Sequence, residues 1–216
     1  MLPSKTRWRE VLAARHGETL QARFEAATVA VCGLGGLGSN IAVALARAGI
    51  GRLILIDCDR VELSNLHRQQ YRLSQLGMEK PRALAEQLRE IAPYTELELH
   101  TLRMTETNCT TLLAGADVIC EALDDAEAKA MLVNTVLEGL PGAYLVAASG
   151  MAGLGPANDI RTRRITDRFL LCGDGCSDVE TERTLFSTRA MICAAHQAHA
   201  VLRILAYAEN NETEVF

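Results

Sequence analysis

The sequence predicts an α/β fold: a Rossmann-like, mostly parallel sheet flanked by helices, with a C-terminal antiparallel extension and a long terminal helix. Short apolar runs alternate with helical patterns at the spacing of βαβ crossovers. A glycine-rich turn, "GLGGLG" from Gly33 to Gly38, joins the first run to the first helix that follows a strand. After Gly150 the alternation stops.

The elements follow in order. Residues from about Arg7 to Ala27 carry helix-compatible spacing and form an arm, 1–27. Strands are expected at "TVAVCG", "RLILIDCD", the alternating "TELELH", "DVICEA" and "AYLVAASG". Helices are expected between them at "SNIAVALARAG", "EKPRALAEQLREIA", a short "TETNCTTLLAG" and "AEAKAMLVNTVLEG", completing a core over 28–150. The remainder, 151–216, opens on "MAGLGPANDIRTRRI", glycine-rich and then fit for one or two antiparallel strands. The polar "CGDGCSDVETERT" is too hydrophilic for core, "STRAMICAAHQAHAVLRILAYAE" is an amphipathic helix, and "NNETEVF" is a polar tail. Together these make one domain.

Composition narrows the setting. The 216 residues carry 22 basic and 27 acidic side chains, a net charge of −5, with no basic stripe for nucleic acid or polybasic membrane patch. No run suits a secretory signal or a membrane span. Seven cysteines are an odd number, and Cys32, Cys58, Cys120 and Cys193 sit in apolar runs, which fits a reducing cytoplasm better than a disulfide framework. Aromatics are only 4% of residues, so the core must be built from Ala, Leu, Val and Ile.

The chemistry gathers after the glycine turn. Gly33, Gly35, Gly36 and Gly38 let the backbone approach a phosphate, and the amides opening the next helix face the anion. Asp57 ends the second strand, about 20 residues on, where a carboxylate accepts ribose hydroxyls; the bland alternative is a turn cap. The polar segment from Asp59 to Gly77 then supplies Asn65, Arg68, Gln69 and Arg72, with Lys80 after it. A dinucleotide needs little cationic charge here, whereas a triphosphate needs several donors. Arg68 offers a planar fork and Lys80 a mobile point charge; otherwise they are solvated surface. Asp124 and Asp125 follow the fourth strand. One carboxylate there suits magnesium, and Asp before "AEAKAMLVN" suits a helix N-cap; both roles can hold, one Asp each.

Taken in order, "GLGGLGSN", "DCDRVELSNLHRQ", "LGMEKPRA" and "ALDDAEAK" resemble the adenylation domain of the ThiF/MoeB family, relatives of ubiquitin-activating enzymes. The likeness is greatest to the short single-domain ThiF branch, which acts on ThiS-type sulfur carriers of thiamine biosynthesis. That resemblance implies an ATP-binding adenylation core over 28–150 and a carrier-facing extension with a crossover loop over 151–216. It implies ATP with magnesium, adenylation of the terminal glycine carboxylate of a ubiquitin-like carrier, and release of pyrophosphate. By matching motifs, Gly33, Gly35, Gly36 and Gly38 would hold phosphates and Asp57 the ribose. Asp59, Asn65 and Gln69 would line the nucleotide, Arg68 and Lys80 would stabilise transfer, and Asp124 would hold magnesium. It also implies a homodimer, with Arg15 (Arg7 and Arg9 behind it) reaching the neighbouring site.

Departures from the family pattern stand beside this. Asp125 and Lys129 occupy places usually held by Asn and Arg. Paired C-x-x-C motifs are absent, and Cys172 and Cys176 are three residues apart, so no zinc site is expected. Cys193, His196 and His199 could carry zinc on paper, yet spacings of three on an apolar helix more often mark a core face. Cys172, placed in the polar segment, is the first choice for a thiol relay, although Asp174 and Asp178 would discourage a thiolate. The segment "SGMAGLGP" offers close backbone approach to a Gly-Gly tail, and the polar stretch from Cys172 to Thr184 could close over it. His67 is taken as a variable loop residue. Rival readings are a nicotinamide-dependent oxidoreductase, a non-catalytic binding subunit, and adenylation of a tRNA base or a peptide carboxylate.

Overall fold

Alternation along each strand splits the interior into two layers. Val29 and Val31 face one side of the sheet, Ala30 and Cys32 the other, and all are fully buried. The computed structural model describes residues 2–207, so the polar tail "NNETEVF" lies outside the described residues.

The strands are β1 (Thr28–Cys32), β2 (Arg52–Ile56), β3 (Glu96–His100), β4 (Val118–Glu121), β5 (Tyr144–Ala148), β6 (Arg161–Thr166) and β7 (Phe169–Gly173). They form one seven-stranded sheet in the order β3-β2-β1-β4-β5-β7-β6. Every neighbouring pair is parallel except β6 with β7. The extension therefore completes the same sheet: β7 lies parallel beside β5, and β6 turns back as the edge. Strand order reverses between β1 and β4, and a crevice beyond the carboxyl ends of such strands is where ligands bind in open α/β sheets.

Helices α3 (Gly38–Ala48), α4 (Lys80–Ile91) and α8 (Ser187–Tyr207) cover the Val29/Val31 face, while α5 (Glu106–Leu112) and α6 (Ala126–Gly139) cover the other. In α3, Ile41, Ala42 and Leu45 share the buried stripe, and Gly49 ends the helix with φ 87°. Truncating a side chain as buried as Leu45 costs about 2–5 kcal/mol. Pro81 in the first turn starts α4. Gln197 of α8 donates to the carbonyls of Glu121 and Val146 at 2.9 and 3.1 Å, tying that helix across β4 and β5.

The arm is two helices rather than one continuous pattern. Gly17, at φ 87°, breaks it into α1 (Lys5–His16) and α2 (Glu18–Ala26). Arg9 bridges the break to Glu18 at 2.8 Å and Glu25 at 3.1 Å. The arm docks at the amino ends of the strands, where Gly51 and Arg52 amides donate to Phe24 and Ala27 carbonyls at 2.9 and 3.1 Å. Among the described residues no helix is long and apolar enough to cross a membrane. A short helix, α7 (Val179–Glu182), interrupts the polar stretch before α8.

Candidate active site

The glycine turn is shaped by what it touches. Gly33 has φ 91°, and a β-carbon there would lie 2.5 Å from the Ala122 carbonyl oxygen, against the end of β4. A β-carbon on Gly38 would overlap the Gly33 carbonyl oxygen, so only glycine lets α3 start this close to β1. No side chain caps α3; the Ser39 amide donates to the Gly35 carbonyl at 3.1 Å, and the Gly38 and Asn40 amides stay available to an anion.

The segment after Asp57 folds back onto this turn. Its base is closed by Val61 donating to Met78, Gly77 to Val61 and Lys80 to Asp59, all through the backbone at 2.8–3.0 Å. Its tip leans on the glycines: Arg68 Cγ would be 3.3 Å from a β-carbon on Gly36, and Gln69 Nε2 3.8 Å from one on Gly35. The Gln69 side-chain oxygen is a buried acceptor with no partner among the described residues. Asn65 is half-buried nearby, its amide donating to the Ser64 hydroxyl at 3.3 Å.

Residues that the motif reading left out hold this contact. Tyr71 donates to the Leu34 carbonyl at 2.8 Å, and burial pushes its phenol well above its usual range, keeping it a neutral donor. The Ser39 hydroxyl donates to the Gly35 carbonyl at 2.6 Å and accepts from the Gln70 amide at 3.1 Å. Asn40 donates to the Gly36 carbonyl and accepts from Gln70 Nε2, both at 2.7 Å. The polar run "RQQY" is the sequence signal for Gln70 and Tyr71, which directly follow Arg68 and Gln69.

Asp57 ends β2 with both oxygens engaged, one by the Leu34 amide at 2.6 Å and one by the Asp59 amide at 2.8 Å. Each keeps a second lone pair for a hydroxyl. Lys80 is not the mobile charge expected from its type. It is buried, its ammonium 2.7 Å from Asp59 and 3.7 Å from Asp57. The Lys80 hydrogen bond holds the Asp59 carboxyl below the usual carboxylate range.

Asp125 is the N-cap of α6, accepting from the Ala128 amide at 2.8 Å. The extra negative charge is thereby turned into the helix. Asp124 beside it is exposed and makes no hydrogen bond to a described residue. A free carboxylate of this kind fits a hydrated hard cation, whose ligands are oxygens and water.

Other expectations change. Cys172 does not lie in the polar segment: it is inside β7, fully buried, its thiol pushed up to about 11 chiefly by burial. The exposed position that a thiol relay needs is therefore not the one Cys172 occupies. Cys176 is exposed, but the Asp174 carboxylate raises its thiol pKa. Arg15 is exposed at the end of α1, on an arm docked at the strand ends opposite the glycine turn. Within one chain it is not brought to the site. Of the Cys193, His196 and His199 trio, Cys193 is buried and His196 bonds the Thr162 hydroxyl at 3.0 Å. The close trio of potential metal-binding side chains among the described residues is instead Asp57, Cys58 and Asp59.

The glycines of "SGMAGLGP" serve the protein's own packing. A β-carbon on Gly150 would overlap the Asp174 carboxylate, one on Gly153 would meet Glu182 Oε2 at 2.5 Å, and one on Gly155 would meet Arg189 Nη1 at 3.1 Å. Arg189 is buried and holds Asp174 and the carbonyls of Gly155 and Pro156. His67 joins this cover to the site: its ring nitrogens lie 3.0 Å from the Ser64 carbonyl and 3.2 Å from the Leu185 carbonyl. It is a bridging residue, more than the variable loop position expected.

A family model described as the ThiF family matches residues 8–215. The chain belongs to the ThiF family. Among curated ThiF-family relatives, the sulfur carrier protein adenylyltransferase of Thermus thermophilus is 35% identical over 136 residues, 62% of this chain and 50% of that protein. The adenylyltransferase and sulfurtransferase MOCS3 of Anopheles gambiae is 35% identical over 125 residues, 57% of this chain and 28% of that protein. Ubiquitin-like modifier-activating enzyme 5 of Caenorhabditis elegans is 36% identical over 123 residues, 52% of this chain and 29% of that protein. The matches thus span half or less of each relative's length. In fold, the chain is similar to E. coli tRNA N6-threonylcarbamoyladenosine dehydratase, TcdA, solved with AMP, at TM-score 0.85 and 22% identity, covering 97% of this chain and 99% of that one.

Proposed function

We propose that this ThiF-family protein is an ATP-dependent adenylyltransferase acting on a carboxylate, the terminal glycine of a ThiS-type, ubiquitin-like sulfur carrier. The observation that carries the reading is the seating of Arg68 and Gln69 on Gly36 and Gly35, at the rim shared by Asp57, Lys80 and Asp124. A dinucleotide needs less cationic charge at its phosphate turn than a triphosphate whose pyrophosphate must leave, so a cationic segment folded there favours ATP. The Thermus relative's name supports the carrier as acceptor.

The chemistry asked of the residues is positional. A carboxylate oxygen attacks the α-phosphorus of ATP, the bond to the bridging oxygen breaks, and pyrophosphate leaves. The attacking group is already ionised, so no general base is required. Amides of the glycine turn and the start of α3 hold phosphate oxygens. Arg68 swings its fork from His67, 3.4 Å away, to the charge building on the leaving group. Lys80 orders Asp57 and Asp59 toward the ribose side. Asp124 would hold magnesium, which when bound neutralises charge on the phosphates. In a homodimer, Arg15 of the second copy would supply a further cation, since its own site is out of reach.

A second acceptor is favoured by one observation. The edge strand β6 exposes Arg161 and Arg163 on one face and Arg164 on the other, a local basic charge that the net charge had hidden; it suits an RNA-borne carboxylate as well as an acidic carrier. ATP–pyrophosphate exchange with purified Gly-Gly-ended carriers and, separately, with tRNA decides. Exchange only with a carrier and ATP supports the reading; exchange with tRNA alone replaces the acceptor, and exchange with neither removes the activity.

A further inference from the structure

Beneath the exposed Asp124 lies an ion pair that the adenylation chemistry does not use, between a buried carboxylate and a partly exposed ammonium. Glu121 closes β4 with its side chain 1% exposed, and Lys129 reaches it from α6, 2.9 Å from both carboxylate oxygens. The pair is bonded to one residue in particular. Glu121 Oε1 accepts from the Leu123 amide at 2.7 Å, and Lys129 donates to the Leu123 carbonyl at 3.0 Å. Both backbone polar groups of Leu123 are therefore held, and the Leu123 carbonyl belongs to the peptide that carries Asp124. Glu121 Oε2 also receives the Ala148 amide at 3.4 Å, linking the end of β5.

On its other side Asp124 adjoins Asp125, fixed as the cap of α6 and accepting the Lys129 amide at 2.9 Å through its backbone carbonyl. Asp124 is thus strung between two anchored residues, while its own side chain is bonded to neither. The peptide planes on either side set the direction in which its Cα–Cβ bond leaves the backbone. Such a pair is a poor device for stability alone, because desolvating the Glu121 carboxylate offsets much of the attraction. It is a good device for fixing a turn, since an amide and a carbonyl are gripped by opposite charges.

We propose that Glu121 and Lys129 are the positioning pair of Asp124, holding the Leu123 turn so that the Asp124 carboxylate faces the glycine turn and the cation there. This rests on the nucleotide reading of the site, and it accounts for Lys129 pointing under the rim instead of into it.

The test uses the full chain with E121Q/K129M, which removes both charges together, beside K129R as the conservative variant and Asp124→Ala as the reference. Two quantities are measured: hydrogen exchange at the Leu123 amide without nucleotide, and the gain in ATP affinity on adding magnesium, by calorimetry. The double variant should exchange faster at Leu123. It should lose about tenfold of the magnesium-linked gain, as happens when groups that orient a metal-holding side chain are removed, while ATP affinity in chelator stays within about twofold. K129R should restore most of the gain, and adding E121Q/K129M to Asp124→Ala should change the gain no further. An intact gain with only a lowered melting temperature would make the pair structural and overturn the proposal. If the wild type gains nothing from magnesium, the reading of Asp124 fails separately. Exchange then decides: faster exchange at Leu123 keeps the pair as holder of the turn, and unchanged exchange overturns it.

Discussion

The stem of Arg68 lies across Gly36, its Cγ 3.3 Å and its Cδ 3.4 Å from where a β-carbon would stand. A cationic side chain and a phosphate-type turn, far apart in sequence, are thereby fitted to each other. Ser39, Asn40, Gln70 and Tyr71 lock the same contact by hydrogen bonds, so the charged segment is a fixed wall of the site.

Substitutions at two glycines should separate fold from site. Gly38→Ala places a methyl group inside the Gly33 carbonyl contact and should prevent stable folding. Gly36→Ala asks Arg68 to shift by a few tenths of an ångström, so melting should hardly change while ATP affinity weakens several-fold. Thermal melts and calorimetry check both. A Gly36→Ala protein that binds ATP normally would detach Arg68 from the nucleotide.

Arg68→Ala and Lys80→Met should each slow carrier-dependent ATP–pyrophosphate exchange by about a hundredfold. Their stabilities should differ. Arg68 is half-buried at the tip and its loss should leave the melt unchanged; Lys80 is buried beside Asp57 and the exposed Asp59, and its removal should lower the melting temperature because the buried Asp57 carboxylate loses its counter-charge. Equal melts for the two variants would contradict the ion pair.

The strand–helix order and the glycine turn were legible because both follow from local pattern: a period of two in buried strands, and glycine where backbones meet. The extension was less so. β7 is placed parallel to β5 by a long-range pairing, and Cys172 entered the core with it although the text around it is polar. Lys80 looked like a mobile cation because a side chain's partners are invisible in one dimension. Glu121 was passed over as part of an apolar run, though a carboxylate ending such a run demands a partner, and Lys129 is that partner.

The Asp174–Arg189 pair should give stability a defined acid limb. Burial would raise the Asp174 carboxyl, but the Ser177 and Cys176 amides and Arg189 outweigh it and hold it well below the usual range. A depressed folded value means the contribution is full above the ordinary aspartate range near about pH 4 and is lost as pH falls beneath it. Asp174→Asn should therefore cost about 3 kcal/mol at pH 7, with the gap to wild type closing below about pH 4. Denaturant melts at pH 7 and pH 3 test this; a gap independent of pH would rule it out.

Thiol chemistry should follow burial. Of the seven cysteines, Cys58 and Cys176 are exposed, and the buried Cys109, Cys172 and Cys193 have thiols pushed up to about 11, 11 and 12. Alkylation of the native protein should mark Cys58 and Cys176 only, faster as pH rises, because the thiolate reacts. Unfolded protein should label throughout. Rapid native labelling of Cys172, read by peptide mass spectrometry, would reinstate it as an accessible thiol.

The most direct measurement is a crystal structure of the full chain with ATP and magnesium. Phosphates are expected on the Gly35–Gly38 backbone, with the Arg68 guanidinium moved from His67 onto them, the ribose at Asp57, and Asp124 on the cation side. A nucleotide bound elsewhere, with Arg68 still against His67 and the glycine turn bare, would contradict this placement.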